Sequence, residues 1–257
     1  MEGRARRIRQ PRVAEIVASK LRDDILSGRL REGDILPTQE SLFQEFGVSP
    51  PALREAIHLL ETDGLISVRR GNAGGAVVRM PSADRTAQMI GMVLQTRDAT
   101  PADVSQALLH LEPICAGMCA ARADRAAEVV PYLQAEVDRQ ATHFDDASQY
   151  VPNARRFHEA LVSRCGNEPM ILLIGSLELI WSTHESEVWT GEGEAGMSAP
   201  TMRAALRDHQ RLVDAIADGD TARATTLAAD HLTAARRTTL AAGTDKTIEA
   251  RLISHDR

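Results

Sequence analysis

Three histidines, His158, His209 and His231, are the residues of this 257-residue chain best placed to do coordination chemistry. His158 shares a helical face with Leu161, Val162 and Cys165. His209 belongs to the spaced series Met202, Leu206, Val213 and Ile216, and His231 falls in line with Leu227 and Ala235. Each imidazole is therefore expected to point inward from a different helix, where an unpaired polar ring is costly to bury. One inward histidine is usually a core residue with a hydrogen-bond partner. Three from facing helices are better explained by a shared site, and neutral imidazole suits a divalent metal such as zinc or nickel. Three ligands to a tetrahedral metal leave one coordination position open.

A second group of residues suits a polyanion. Ser49 stands ahead of Pro50 at the start of an apolar-periodic stretch, Arg54 follows one turn later, and Arg69, Arg70 and Gly71 lie in a Gly-rich turn. The net charge of −6 hides an uneven distribution. Residues 1–80 hold 13 Lys/Arg against 11 Asp/Glu, whereas the remainder holds 17 against 25. Only the first part should attract nucleic acid.

The elements that must carry these residues can be read from spacing. Val13, Ile16, Val17, Leu21, Ile25 and Leu26 mark one helix, closed by Gly28. A turn over 31–37 reverses the chain. Thr38 caps a short second helix carrying Leu42 and Phe43, and Gly47 ends it. Ser49 caps a third, with Leu53, Ala56, Ile57 and Leu60 as its buried face and Pro50 at its first position. The stretch 65–78 alternates β-branched residues around a Gly-rich turn and predicts a hairpin. Three helices followed by a basic-tipped hairpin describe a winged helix-turn-helix. Ser49, Arg54, Arg69, Arg70 and Gly71 are its candidate DNA contacts.

From Pro81 to Gly243 the signals are helical. A capping box at Thr100 and Asp103 opens a helix striped with Val104, Leu108, Leu111, Cys115 and Met118, and further helices are expected over 124–143, 147–165, 169–189, 200–218 and 220–242. The fold class is mainly α, with a C-terminal antiparallel helical bundle. The expected domains are a basic, disordered arm over 1–11, a DNA-binding domain over 12–80, an all-helical domain over 81–243, to which the family resemblance described below assigns effector binding and dimerisation, and a frayed polar tail over 244–257. Three cysteines, Cys115, Cys119 and Cys165, with no CxxC pair and no secretory segment, indicate a reducing, cytoplasmic setting. The densest apolar run, Met170 to Ile174, is far too short to span a bilayer. No P-loop, dinucleotide fingerprint, nucleophile elbow or HExxH pair is visible, so an enzyme is not expected.

The stretch from Ile25 to Val78, including GDILPTQESLFQEFGVSPPALREAIHLLETDGLISVRRG, resembles the DNA-binding domain of GntR-family transcriptional regulators. Residues 85–240 resemble, more loosely, the FadR-type effector domain of that family, the FCD domain. The resemblance implies a homodimer that binds a near-palindromic operator as a repressor and is released by a small-molecule effector. By position it places operator contacts at Ser49, Arg54, Arg69, Arg70 and Gly71, with Glu40 and Pro50 where relatives carry basic residues. It implies a divalent metal on His158, His209 and His231 at the floor of the effector site, with water or an effector oxygen completing the shell, together with an aspartate four residues before the first histidine, where this chain has Ala154. It also implies an effector-binding arginine at position 108, which here is leucine; an organic acid or a more apolar, fatty-acyl effector follows.

Overall fold

The computed structural model describes residues 12–69, 75–142, 147–190, 198–241 and 247–250. The chain divides into two compact units, Met1–Ser82 and Ala83–Arg257.

In the first unit, α1 (Val13–Leu26) packs on α3 (Pro50–Thr62), with α2 (Gln39–Phe46) beside α3. Ala14, Val17, Leu21 and Ile25 of α1 meet Leu53, Ala56 and Leu60 of α3 in one core, which Leu42, Leu65, Ile66 and Val78 complete. The termini follow the capping chemistry: the Thr38 hydroxyl accepts from Ser41 N at 3.2 Å, and Gly47 closes α2 at φ 61°, a conformation that a side chain would strain. Strands β1 (Ile66–Arg69) and β2 (Gly75–Val78) pair antiparallel, Ile66 opposite Val78 and Arg69 opposite Gly75. Glu61 of α3 fixes the base of this ribbon by accepting from Val68 N at 3.3 Å.

The segment expected to be a simple reversing turn does more. Leu36 N donates to Ala76 O at 2.8 Å, Val78 N donates to Asp34 O at 2.8 Å, and Ile35 bridges Val77. It therefore lends the free edge of β2 a short third strand.

The second unit is all helical among its described residues: α4 (Ala83–Gln95), α5 (Pro101–Ala121), α6 (Arg125–Glu128), α7 (Val130–Thr142), α8 (Ala147–Ser163), α9 (Glu168–Thr190), α10 (Ala199–Asp218) and α11 (Thr221–Ala241). The capping box is present: Thr100 N donates to Asp103 Oδ2 at 2.8 Å, and Asp103 N donates to the Thr100 hydroxyl at 3.3 Å. Helix α11 lies along α5, and α8 packs on α7 and α9, around a core that includes Val104, Leu108, Cys115, Leu133, Phe157, Leu161, Val213 and Ile216.

Two expectations for this unit need correction. The single helix read over 124–143 is two, broken at buried Val129, because Pro131 lacks the N–H that a continuous helix would need there and instead sits in the first turn of α7. The tail is not frayed over 247–250. Ile248, 5% exposed, joins the core, and its N–H donates to Ala99 O at 3.0 Å.

Candidate metal centre and nucleic-acid interface

The three histidines sit on three helices, α8, α10 and α11, and the fold brings them together. Their ligand atoms all lie within 4.8 Å of one another. His209 Nε2 is 3.1 Å from His231 Nε2, which is 3.4 Å from His158 Nε2. His209 and His231 are buried, and Phe157 stacks on the His209 ring with centroids 4.1 Å apart, closing that side with apolar surface.

The opposite nitrogen of each ring is engaged. His158 Nδ1 donates to Glu112 Oε1 at 2.6 Å, and His209 Nδ1 donates to Gln140 Oε1 at 2.8 Å. His231 Nδ1 faces Asp208 Oδ2 at 3.8 Å. The Gln140 amide oxygen can only accept, which puts the His209 proton on Nδ1 and its Nε2 lone pair inward, and an ionised Glu112 does the same for His158. A proton on His231 Nε2 can bridge to the other two Nε2 atoms, 3.1 and 3.4 Å away, and a divalent ion could take that proton's place among three lone pairs. This donor set, with outer oxygens orienting each ring, fits a divalent ion that prefers nitrogen ligands.

The electrostatics agree. Burial, reinforced by the two neighbouring imidazoles, holds His209 well below the usual histidine range and so keeps it neutral. Burial also lowers His231, although Asp208 partly opposes it, and His231 in turn holds the Asp208 carboxyl down. Behind His158, burial raises Glu112 to about 7, and Glu178 is raised further by burial and by the Glu112 charge. Glu112 Oε2 has no donor except a protonated Glu178, so the pair is satisfied when one of the two acids keeps its proton.

Ala154 offers no ligand atom. Asn153 is buried and lines a separate groove with Pro152, Arg156 and Ile171. Sequence reasoning found the three rings but missed what holds them. Gln140 occupies a core-facing position seven residues after Leu133, and Glu112 interrupts an apolar stripe; both were readable as polar residues on a buried face. Asp208, next to His209 in sequence but serving His231, left no such sign.

In the first unit, the Ser49 hydroxyl accepts from Ala52 N at 3.5 Å at the start of α3. Arg54, Glu55 and His58 are exposed on the side away from Leu53, Ala56 and Leu60. Arg12 neutralises Glu55 at 3.6 Å, and Arg54 has no ion-pair partner among the described residues. Arg69 is exposed at the end of β1, opposite Gly75. Arg70 and Gly71 lie outside the described residues.

Residues 13–75 match the family of bacterial regulatory proteins of the gntR type, and residues 103–234 match the FCD domain. The chain is 27% identical over 209 residues to the putative L-lactate dehydrogenase operon regulatory protein of Escherichia coli K12, covering 81% of this chain and 79% of that one. It is 27% identical over 181 residues to the HTH-type transcriptional repressor NanR of Salmonella newport, with 69% and 68% covered. The solved Streptococcus agalactiae GntR shares the fold, with a TM-score of 0.69 at 20% identity over 87% of this chain and 99% of that one.

Proposed function

The chain belongs to the gntR family of bacterial regulatory proteins and carries an FCD domain, and on that premise we propose that it is a cytoplasmic, homodimeric repressor whose hold on a near-palindromic operator is released by an effector bound beside a metal. That it is a ligand-responsive DNA-binding regulator follows from the family. The residue assignments are ours.

The observation that carries the DNA assignment is the start of α3, capped by Ser49 and presenting an unpaired Arg54 on an exposed face. A helix of this kind enters a major groove with its N-terminal turn toward a phosphate and its arginine toward a base edge. Arg69 follows the backbone from the ribbon, and we assign Arg70 and Gly71 to the same contact from their place in the sequence. Two copies related by a twofold axis would present two such helices to symmetric half-sites.

His158, His209 and His231 would hold the divalent ion through Nε2, with Glu112, Gln140 and Asp208 fixing the rings. When bound, the ion supplies a positively charged, Lewis-acidic position for an oxygen of the effector. The protein's own part is to keep His209 and His231 neutral through burial, to exclude water on the Phe157 side and to leave access from the side of His158, the most exposed of the three rings.

Operator selection with the full chain tests the first assignment: Arg54→Ala should abolish specific footprints while the fold and dimer persist. A normal footprint from that variant would refute the placement. Metal analysis of protein purified without a chelating tag tests the second. Absence of zinc, nickel or manganese above trace would refute it.

A further inference from the structure

The winged helix-turn-helix carries little positive charge of its own. Residues 13–80 hold 8 Lys/Arg against 10 Asp/Glu, and three of those cations are engaged within the unit: Lys20 and Arg29 pair with Asp24, and Arg22 pairs with Asp63. Glu40 stands in the first turn of α2, and Glu55 lies beside Arg54 on the exposed side of α3. A duplex carries about one negative charge per 1.7 Å of its axis, and neutralising that charge supplies much of the affinity of any protein that binds it. The cations that can do so are concentrated in the first twelve residues, where Arg4, Arg6, Arg7, Arg9 and Arg12 face Glu2 alone.

The structure fixes where that segment joins the unit. Residues 1–11, expected to be a basic arm, lie outside the described residues, and Arg12 is the first inside them. Arg12 is held at three points. Its N–H donates to Glu15 Oε2 at 2.9 Å, its carbonyl accepts from Ile16 N at 3.2 Å, and its guanidinium is 3.6 Å from Glu55 Oε1. The arm is therefore tethered on the side of α3 that presents Arg54, and Arg12 also covers the acid that would otherwise meet the phosphates there. An extended chain gains at most about 3.3–3.6 Å per residue, so Arg7 and Arg6, five and six residues before Arg12, reach about 17–22 Å. Half of the duplex repeat of about 34–36 Å, the step from one groove to the next, is about 17–18 Å.

We propose that the arm is a second reading element: with α3 in the major groove, Arg6 and Arg7 enter the flanking minor groove and select A·T-rich sequence there. A·T-rich minor grooves are narrow and hold a deeper negative potential, which favours inserted arginine, and the stretch from Arg4 to Arg9 contains no carboxylate to oppose it. The inference rests on the reading of α3 as the recognition helix and adds specificity that neither α3 nor the ribbon supplies.

Operator DNA selected with the full chain provides the probes: three duplexes that share the selected core and differ in flanks of A·T, G·C or inosine–cytosine pairs. Inosine lacks the guanine 2-amino group, so its pair with cytosine resembles A·T in the minor groove and G·C in the major groove. Wild type should bind the A·T and inosine flanks alike and the G·C flanks at least about fivefold more weakly. With Arg4, Arg6, Arg7 and Arg9 all changed to Gln, the three duplexes should bind equally. Affinity for A·T flanks should fall at least about tenfold, and the slope of log K against log salt should shrink by about 2–4. The pair Arg6→Gln, Arg7→Gln should abolish the flank preference with about half of that change in slope. The assignment is overturned if wild type binds all flanks equally, if inosine flanks behave as G·C flanks, which places the reading in the major groove, or if the quadruple variant keeps wild-type affinity and slope. Failure of the full chain to select any core would remove the regulator reading and the arm's role with it. Indifference to the flanks of a selected core would remove the arm's role alone.

Discussion

Replacing Gln140 with leucine isolates the logic of the histidine cluster. Gln140 is fully buried, its Oε1 accepts from His209 Nδ1 at 2.8 Å, and His209 is 1% exposed, so no water can replace the lost acceptor. Leucine is close to glutamine in volume and leaves little cavity. An imidazole N–H stranded in such a place costs about 1–3 kcal/mol. Without an ion the ring can escape most of that cost by moving its proton to Nε2, toward the other two histidines. With an ion it cannot, because Nε2 must then offer its lone pair. The penalty therefore falls on binding. An outer-sphere change of this kind costs about 10–100-fold in metal affinity, or roughly 1.4–2.7 kcal/mol. Competition titration against a chromophoric zinc chelator reads the affinity directly, and thermal melts with and without zinc should show the zinc-induced stabilisation shrinking by a similar amount. Gln140→Glu keeps an acceptor and places a negative charge behind the ring, so zinc affinity should be retained or rise. Equal zinc affinity in wild type and Gln140→Leu, with unchanged melts, would refute the claim that Gln140 sets the His209 tautomer.

Other perturbations reach different parts of the molecule. Ser49→Ala removes a cap whose hydrogen bond is long, so destabilisation should lie near the lower end of the usual 0.5–2 kcal/mol; a loss beyond that range in chemical denaturation would mean that Ser49 does more than cap α3. Gly117→Ala places a methyl 2.5 Å from the Thr225 Oγ1 where α5 meets α11, and should cost about 1–3 kcal/mol. The double variant Gly117→Ala, Thr225→Ala should recover most of it, and failure to recover would show that the strain lies elsewhere. Burial lifts Glu112 from 4.5 to about 7, so as pH rises the unfolded chain ionises first and the folded state is progressively disfavoured until pH passes 7. The stability this acid contributes is full below pH 4.5 and amounts to roughly 3 kcal/mol, with Glu178 acting in the same sense. His209 and His231, whose pKa values are lowered, work oppositely until about a unit above 6.5, where free imidazole has become neutral. In metal-free protein the stability difference between wild type and Glu112→Gln should therefore move in favour of the variant as pH rises from 4.5 through 7; parallel curves would contradict the assignment.

Much of this architecture was legible because short-range rules decide it. The Thr38, Ser49 and Thr100 caps, Gly47 at its left-handed position, and the apolar spacing in α1, α3 and α5 all act within one or two turns, and the structure shows each of them. The three histidines were legible for a related reason, since each interrupts an apolar stripe whose period gives its direction. Features that depend on a distant partner were not. The bridge from Ile35 to Val77 joins residues far apart in sequence, and nothing around Ile35 announces a strand. Ile248 stands in a mostly polar tail, and only its packing on the core and the distant acceptor at Ala99 O give it a place. Arg155 and Arg236 look like ordinary surface arginines on α8 and α11 until the packing shows them lining one cavity.

The alanine at position 154 removes an acid that the resemblance leads one to expect among the metal ligands, yet the cluster is not short of negative charge. Glu112 stands behind His158 and Asp208 behind His231, each one imidazole away from the point where the Nε2 atoms converge. A divalent ion on three neutral rings would bring two positive charges inside, and these two carboxylates could balance them at that distance. A cation beyond His158 would also favour the ionised form of Glu112, whose proton is otherwise retained because of burial. What the substitution removes is therefore an oxygen donor rather than the charge compensation. A regulator gains something from that. An effector shifts the protein between states only by its differential affinity for them, and an oxygen that meets an open coordination position has more to contribute than one that must displace a carboxylate of the protein.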